Sequence, residues 1–333
     1  MGRGATSRAA SGTRNGPVND FSAHRRRAAV YHQIRAFFAE RRVLEVETPI
    51  LSAAANTDPN IESFSTRFSG HVDAGPRERW LRTSPEFPLK RLLAAGIGDC
   101  YELGRVFRNG EAGGRHNPEF TMLEWYRVGF DHRRLAKEVV DLIERLGVEA
   151  GRKLDVLETT YRDVFQYALS IDPLTADEST LRAPLAMFGV NPDGLRRDDW
   201  LDLLMTHLIQ PRFHRDQITV IHDYPASQCA LARIRAGDPP VAERFEVYLG
   251  VYELANGYHE LNDPVEQRQR FERDNARRLE RGDEALPIDE HLLDALAALP
   301  DCAGVAMGIE RLLMCLGDTD AIADVLAFPF SRA

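Results

Sequence analysis

The spacing of the candidate strands constrains the fold more than any other feature of this sequence. Segments rich in β-branched and aromatic residues recur at irregular intervals and do not alternate with helices as βαβ units would. They span 80–83, 100–107, 120–126, 218–222 and 245–252. A doubly wound parallel sheet is therefore disfavoured, and we expect an α+β fold whose mostly antiparallel sheet is flanked by helices.

Helical periodicity places further elements around these strands. Apolar residues at helical spacing predict an amphipathic helix over 24–42, followed by a short strand that ends at Pro49. Other helices are expected at 87–95, 133–146 and 265–281, and after the glycine-containing stretch 304–308. The region 131–213 is mostly helical in pattern, and we interpret it as an insertion between two halves of the sheet.

Charge is distributed unevenly along the 333 residues. The net charge is −9, but residues 1–42 carry nine arginines against Asp20 and Glu40, a local +7 that leaves −16 for 43–333. A basic body would be expected of a protein that mainly wraps nucleic acid, so that function class is disfavoured. We expect a disordered basic tail at 1–22 and one catalytic domain at 23–333. The basic start could contact RNA or an acidic protein, or it could simply be a solvated tail.

Targeting and redox features agree with a cytoplasmic protein. No stretch reaches the roughly 18 apolar residues of a membrane helix, and no apolar run follows the N-terminal arginines, so neither a membrane span nor a secretory signal is expected. Cys100, Cys229, Cys302 and Cys315 form no C-x-x-C pair. This spacing argues against a zinc site or a disulfide framework and suits a reducing compartment.

The first pattern with chemical content is an arginine-rich hairpin. Phe-Arg-Asn at 107–109 is followed by a glycine-containing connection at 110–114 and by Arg-His-Asn-Pro-Glu-Phe at 115–120. The planar fork of arginine matches phosphate geometry, so such a loop could fold over a polyanion. A plain solvent-exposed hairpin would have the same pattern.

The second pattern is a run of polar side chains from 246 to 260. By the period of two, Asn256, Tyr258 and Glu260 share one strand face, whereas Glu253 falls on the opposite face unless a bulge intervenes. Together with Glu246, these carboxylates suit Mg²⁺ that bridges nucleotide phosphates, and they also suit an amine. An edge strand with exposed acids is the alternative.

The third pattern is Gly-Val-Ala-Met-Gly-Ile-Glu-Arg at 304–311. Glycines before a helix allow a close backbone approach, and Arg311 in the first turn could reach a phosphate. Glycine-mediated helix packing is equally compatible with this stretch.

In this order, the patterns resemble motifs 2 and 3 of class II aminoacyl-tRNA synthetases, and the first helix with Pro49 resembles motif 1. The lysyl branch is the most similar, through Thr-Ser-Pro-Glu at 83–86, Lys-Arg-Leu-Leu at 90–93, His-Asn-Pro-Glu-Phe-Thr-Met at 116–122 and Glu-Leu-Ala-Asn-Gly-Tyr-His-Glu at 253–260. The likeness covers roughly 24–333.

Two features are typical of free-standing paralogs of the lysyl enzymes. Only about 23 residues precede the first helix, too few for the OB-fold barrel that reads an anticodon, so no anticodon recognition is expected. Ser84 and Pro-Ala-Ser-Gln at 225–228 are also similar to that paralog family. The resemblance implies that (R)-β-lysine is activated with ATP and transferred to a lysine side chain of elongation factor P.

The resemblance also implies roles for individual residues. The amino-acid carboxylate would attack the α-phosphate in line, held by Arg108, while Arg311 contacts the γ-phosphate; Arg108, Arg311 and Glu253 are the expected catalytic residues. ATP contacts are expected from Arg108, Asn109, His116, Asn117, Phe120, Glu253, Leu254, Gly308 and Arg311. The amino acid is expected to contact Ser84, Glu86, Glu124, Tyr126, Asn256, Tyr258 and Glu260. The expected Mg²⁺ ligands are Glu246 and Glu253.

Three points stay open at this level. The motif usually reads Arg-Asn-Glu, but Gly110 stands in the third place, so either Glu111 takes over that role or a nucleotide contact is lost. The motif 1 helix implies a homodimer. The same chemistry could serve another acceptor, a small molecule or a tRNA, and a catalytically dead binding paralog is a further alternative.

Overall fold

The computed structural model describes residues 21–333. Residues 1–20 of the predicted tail lie outside the described residues, and the first helix already begins at Ser22. The helices are α1 (Ser22–Glu40), α2 (Glu86–Ala94), α3 (His132–Glu149), α4 (Tyr161–Leu169), α5 (Glu178–Arg182), α6 (Arg197–Leu204), α7 (Pro264–Arg281), α8 (Glu290–Leu296) and α9 (Ile309–Gly317). No helix within 21–333 is both long enough and apolar enough to span a bilayer.

A nine-stranded sheet forms the centre of the molecule. The strands of the main sheet and of a second, small sheet are together β1 (Leu44–Glu45), β2 (Leu51–Ser52), β3 (Ser65–Arg67), β4 (Glu78–Leu81), β5 (Cys100–Phe107), β6 (Glu119–Val128), β7 (Asp155–Thr160), β8 (Gln217–Pro225), β9 (Ile234–Arg235), β10 (Val241–Leu249), β11 (Tyr252–His259) and β12 (Cys302–Gly308). Their order is β1-β5-β6-β12-β11-β10-β8-β7, with β9 beside β10, while β2-β4-β3 form a second, small sheet. Among the strand pairs of residues 21–333, only β1–β5 and β7–β8 are parallel, which confirms the predicted, mostly antiparallel α+β fold.

Local chemistry explains where the long helices begin and end. The Asp131 side chain caps α3 by accepting a hydrogen bond from the Arg134 amide. Helix α7 starts with Pro264, and the N–H that proline lacks would have no intrahelical partner at that position. After Arg281 the helix is capped by Gly282, whose φ of +89° is left-handed.

Alternation along the strands separates two faces of the sheet. On one face, Leu123 and Trp125 of β6 and Val305 of β12 are buried in a core that also includes apolar side chains of α1, α3 and α9. On the other face, one end is covered by α2 and α8 and the opposite end by α4 to α6. The middle of that second face is left to line a cavity.

Two sequence-based boundaries need correction. The single strand predicted over 245–252 is wrong, because β10 ends at Leu249 and Gly250, with φ +56°, turns the chain into β11. The stretch 131–213 contains β7 as well as helices, and β7 joins the edge of the main sheet beside β8. Helix α3 packs in the main core, so the beginning of this stretch is part of the central fold.

Candidate active site

The cavity has a volume of about 1250 Å³ and lies on the second face of the sheet. Most of the predicted site residues line it: Ser84, Glu86, Arg108, His116, Asn117, Phe120, Glu124, Tyr126, Glu253, Leu254, Asn256, Tyr258, Glu260, Gly308 and Arg311. Asn109 and Glu246 do not. Asn109 instead pairs through its backbone with Glu62.

A bulge in β11 brings Glu253 to the cavity. Val247 of β10 pairs with Ala255, but the next residue, Tyr248, pairs with Glu253, so Leu254 is the extra residue in β11. One extra residue reverses the alternation of side chains. Glu253 therefore shares the face of Asn256, against the simple period-two expectation.

One end of the cavity is acidic and closely packed. Glu124 is 2% exposed and accepts hydrogen bonds from the Ser84 hydroxyl and the Tyr126 hydroxyl, both at 2.8 Å. Ser84 Oγ in turn accepts from the backbone amide of Glu86 at 2.9 Å, at the start of α2. The chain of contacts fixes the Glu124 carboxylate beside Glu86.

A buried lysine joins two further carboxylates at this end. Lys90 Nζ lies 2.6 Å from Glu86 Oε1, one helical turn earlier, and 2.6 Å from Glu260 Oε2. Glu260 is 1% exposed. Apart from the ion pair with Lys90, neither of its carboxylate oxygens has a hydrogen-bond partner among residues 21–333. Gly304 makes room for this arrangement, since a Cβ there would lie 2.2 Å from the Tyr126 ring and 2.4 Å from Glu260 Oε1.

Burial sets the protonation of these acids. It raises the pKa of Glu124 to about 8, with the neighbouring Glu86 charge adding to the shift. Burial also raises the pKa of Glu260 to about 7, although the Lys90 ammonium opposes that change. Burial alone would lower the pKa of Lys90, but Glu260 and Glu86 outweigh it and raise that pKa. The acidic end is therefore suited to a cationic guest that restores the carboxylate charges.

The opposite end of the cavity is rich in arginine. Arg311 Nη2 donates to His116 Nε2 at 2.8 Å, and Arg311 Nη1 donates to the Glu253 carbonyl oxygen at 3.0 Å. Burial, and then the Arg311 charge, lower the pKa of His116. A neutral His116 that accepts from arginine leaves the rest of the guanidinium free for an anion.

Arg108 is the second cation at this end. Its Nε is buried without a hydrogen-bond partner in the described residues, and its guanidinium carbon lies 5.3 Å from the centre of the Phe120 ring. Glu111 Oε1 is 3.7 Å from Arg108 Nη1, and Gly110, with φ +80°, forms the turn that brings it there. A guanidinium that lines a cavity and keeps a donor without a protein partner indicates an anionic ligand.

The two expected metal ligands lie in different surroundings. Glu246 accepts hydrogen bonds from Arg244 Nη2 at 2.6 Å and from the Tyr248 hydroxyl, whereas Glu253 faces the cavity. Burial, and then the charge of Glu246, raise the pKa of Glu253 to about 7. Two carboxylates close enough for the charge of Glu246 to raise the pKa of Glu253 are a donor set that fits Mg²⁺. Arg244 already neutralises Glu246 in part, so Glu253 is the more available oxygen donor.

Asn117 lines the cavity, but its amide is used by the protein. Its Nδ2 donates to the Glu119 carbonyl oxygen at 2.6 Å, and its Oδ1 accepts from the Phe330 amide at 2.9 Å. These two bonds fix the Asn117 side chain in the wall and leave one Nδ2–H and one lone pair of Oδ1 for another partner.

The sequence reasoning assigned no role to three residues that build the site. Lys90 could have been found from its i, i+4 relation to Glu86, and Arg244 from its position two residues before Glu246 on one strand face. The sequence shows Gly304 only as part of a glycine-containing stretch, because its close contacts are with residues that are distant along the chain.

Comparisons with known proteins agree with this geometry. The family model of class II tRNA synthetases (D, K and N) matches residues 19–332. Proteins named elongation factor P–(R)-β-lysine ligase from Salmonella paratyphi B, Salmonella schwarzengrund and Salmonella dublin are each 49% identical over 313 residues, which is 92% of this chain and 95% of each relative. The chain belongs to the class II tRNA synthetase family.

Proposed function

We propose that this protein activates (R)-β-lysine with ATP as an adenylate and transfers it to a lysine side chain of elongation factor P. The observation that carries the proposal is a single cavity with a carboxylate-lined end and an arginine-lined end. Such a cavity matches a diamine at one end and a polyphosphate at the other. The names of the relatives, at 49% identity, support the same reaction.

Charge counting at the acidic end supports a substrate with two ammonium groups. Glu86, Glu124 and Glu260 contribute three negative charges when ionised, and Lys90 contributes one positive charge. The two negative charges that remain would be neutralised by the two ammonium groups of β-lysine. A buried charge without a partner costs several kcal/mol, so a monoamine would leave one carboxylate unpaired or protonated.

The arginine end would hold the nucleotide for in-line attack. We assign Arg108 to the α-phosphate, Arg311 with His116 to the outer phosphates, and Phe120 to adenine stacking. Gly308 would leave room beside the base. Catalysis of this step depends on positioning and on neutralising phosphate charge. Bound Mg²⁺, held by Glu253 and Glu246, would supply further neutralisation of the phosphates.

The decisive experiment is the intact mass of purified elongation factor P after incubation with this protein and ATP. α-Lysine and (R)-β-lysine are supplied in separate reactions because their adducts have equal mass. An adduct mainly with β-lysine is expected. Pyrophosphate exchange without an adduct would overturn the acceptor and leave the adenylation site, whereas neither signal would overturn the ligase proposal. An Arg311→Ala variant serves as the inactive control.

We also propose a cytoplasmic homodimer. The segment after α1 exposes Leu44, Ile50 and Leu51 at 40% or more, an apolar surface suited to a second copy of the chain. The four cysteines are unpaired, as a reducing compartment would keep them. Sedimentation at micromolar concentration should give a dimer, and Leu51→Glu should shift it toward monomer.

A further inference from the structure

A cluster of two histidines and one aspartate lies outside the cavity, where α3 begins and β8 approaches its end. One ligand atom each from His132, His222 and Asp223 lie within 4.8 Å of one another. The two histidine side chains are each 3% exposed. Within residues 21–333, both ring nitrogens of His132 and Nδ1 of His222 lack a complete hydrogen bond. Two buried imidazoles that converge on one carboxylate without a well-formed hydrogen bond indicate a site for a shared ligand.

We propose that His132, His222 and Asp223 bind one divalent transition-metal ion of the Zn²⁺ type. His132 Nε2 lies 3.4 Å from Asp223 Oδ1, and His222 Nδ1 lies 3.2 Å from Asp223 Oδ2. Donors about 2.0–2.1 Å from a tetrahedral metal are separated by about 3.3 Å. Each histidine nitrogen lies near this distance from one of the two oxygens of Asp223, and one ligand atom of each residue lies within reach of a shared ion. Imidazole nitrogen and carboxylate oxygen are ligands that Zn²⁺ accepts, with water completing the coordination.

Metal binding requires a tautomer change at His222, and the surroundings provide for it. Arg133 Nη2 donates to His222 Nε2 at 2.9 Å, so a neutral ring carries its proton on Nδ1. When Nδ1 binds the metal, the proton resides on Nε2 instead and can be donated to Glu158 Oε1, 3.4 Å away. Arg133 is 54% exposed and can turn to solvent. A carboxylate behind a ligating histidine is the usual orienting arrangement.

A second arginine must also release the site. Arg235 Nη2 lies 2.8 Å from Asp223 Oδ1, but Arg235 Nη1 is also 3.4 Å from Glu243 Oε1. Arg235 is 44% exposed and keeps this second carboxylate partner when Asp223 turns to the metal. The aspartate therefore exchanges one cation for another without leaving an unpaired charge.

A neighbouring group shares His132 but is less available. One ligand atom each from His132, Glu243 and His259 also lie within 4.8 Å of one another. However, His259 Nδ1 is 2.6 Å from Glu243 Oε2, and its Nε2 is 3.0 Å from Asp301 Oδ1. Both nitrogens of His259 are thus occupied by carboxylates, which leaves His222 and Asp223 as the partners of His132. The metal would tie the first residue of α3 to β8, away from the cavity.

Cobalt titration of the untagged full chain tests the site directly. After dialysis against a chelator, Co²⁺ should bind with one equivalent per chain and give the intense visible bands of low-coordinate Co²⁺ with nitrogen and oxygen ligands. One equivalent of Zn²⁺ should abolish these bands. Absence of stoichiometric binding, or a thiolate-to-cobalt charge-transfer band, overturns the proposal.

Matched variants separate the two groups of residues. His222→Ala should abolish the bands, and Asp223→Asn should weaken binding at least tenfold, whereas His259→Ala should leave both the bands and the stoichiometry intact. Asn suits the left-handed φ of +60° at position 223, so this variant should retain the fold, as circular dichroism can verify. Loss of binding only in His259→Ala overturns the assignment to His222 and Asp223.

Discussion

The two ends of the cavity differ in how deeply the protein buries their charged side chains. At the acidic end, Glu124, Glu260 and Lys90 are nearly inaccessible and contact one another or close neighbours. At the arginine end, Arg108 and Arg311 are 25% and 31% exposed and keep donors unused by the protein. The acidic end is prebuilt for a small, specific guest, whereas the other end keeps its charges for a ligand that supplies its own anions.

The largest expected difference is in stability. Lys90→Met should lower the free energy of unfolding by about 3–5 kcal/mol, because it leaves buried carboxylates unpaired. Arg311→Met should have little effect, since its site is partly solvated. Urea unfolding, with the exposed Lys137→Met as control, measures both. Equal losses at Lys90 and Arg311 would contradict the contrast between the two ends.

Catalysis should respond in the opposite way. Arg311→Ala should reduce kcat/KM for pyrophosphate exchange by about 10²–10³-fold, because a donor to developing phosphate charge is lost. The KM for the amino acid should stay unchanged. Arg268→Ala, which removes an exposed arginine paired with Glu290, is the matched control and should leave exchange rates intact.

Binding of the amino acid should depend on pH through the acidic end. Because the pKa of Glu124 is raised to about 8 and that of Glu260 only to about 7, binding a cation between these values must displace mainly the Glu124 proton, and affinity should rise by up to about tenfold from pH 7 to 8. Calorimetry in buffers of different ionisation enthalpy measures the released proton, and Glu124→Gln should remove the dependence. The pH profile of ATP binding should be the same in Glu124→Gln as in the unsubstituted protein, which is the comparison at the other end.

The same carboxyl group affects stability with a defined sign. The folded protein retains a proton on Glu124 that the unfolded chain loses above its ordinary pKa of 4.5. This group therefore lowers the free energy of unfolding as pH rises from 4.5 to about 8. Glu124→Gln should flatten that part of the stability curve, and a decline of the same slope in the variant would contradict the assignment.

Adding a single methyl group at position 304 should affect the two substrates differently. Gly304→Ala places a Cβ against Tyr126 and Glu260, so the KM for the amino acid should rise about tenfold while the KM for ATP is unchanged. Gly113→Ala is the control, because a Cβ at position 113 meets no atom within 4 Å. An equal rise in the KM for ATP would indicate a general distortion of the sheet.

The smallest expected effect concerns the hairpin residue next to Gly110. Glu111→Ala should raise the KM for ATP about two- to fivefold, since a partly exposed carboxylate 3.7 Å from Arg108 orients that guanidinium only weakly. The KM for the amino acid should not move. Steady-state kinetics with each substrate varied would detect the difference, and an unchanged KM for ATP would exclude a role for Glu111.

Several parts of this structure follow directly from local sequence patterns. The irregular strand spacing predicted a mostly antiparallel sheet, and apolar spacing in α1 and α7 placed those helices within a few residues of their observed ends. Motif order placed all but two of the expected site residues on the cavity wall. Patterns of this kind depend on near neighbours in the chain, which a sequence displays.

Other features depend on contacts between distant segments. The position of Glu253 required a bulge at Leu254, which nothing in the alternation of residues indicates. Contacts within one strand were also not anticipated: Arg244 and Tyr248 engage both oxygens of Glu246, whose role as a metal ligand stays a prediction. Strand β7 was missed within a mainly helical stretch because its six residues alternate poorly and lie at a partly exposed sheet edge.

The position of β12 has a consequence for how the chain is made. This strand lies between β6 and β11, although it is the last strand along the described chain. Ribosomes add about 5–20 residues per second, so β6 waits roughly 9–35 s for the partner that joins the two halves of the sheet. β6 presents an unpaired edge throughout that time, and β11 presents one from when residues 252–259 are made, both at what becomes the centre of the protein. The newborn chain is therefore most exposed to wrong pairing just before residues 302–308 emerge, and a chaperone that shields strand edges would act in that interval.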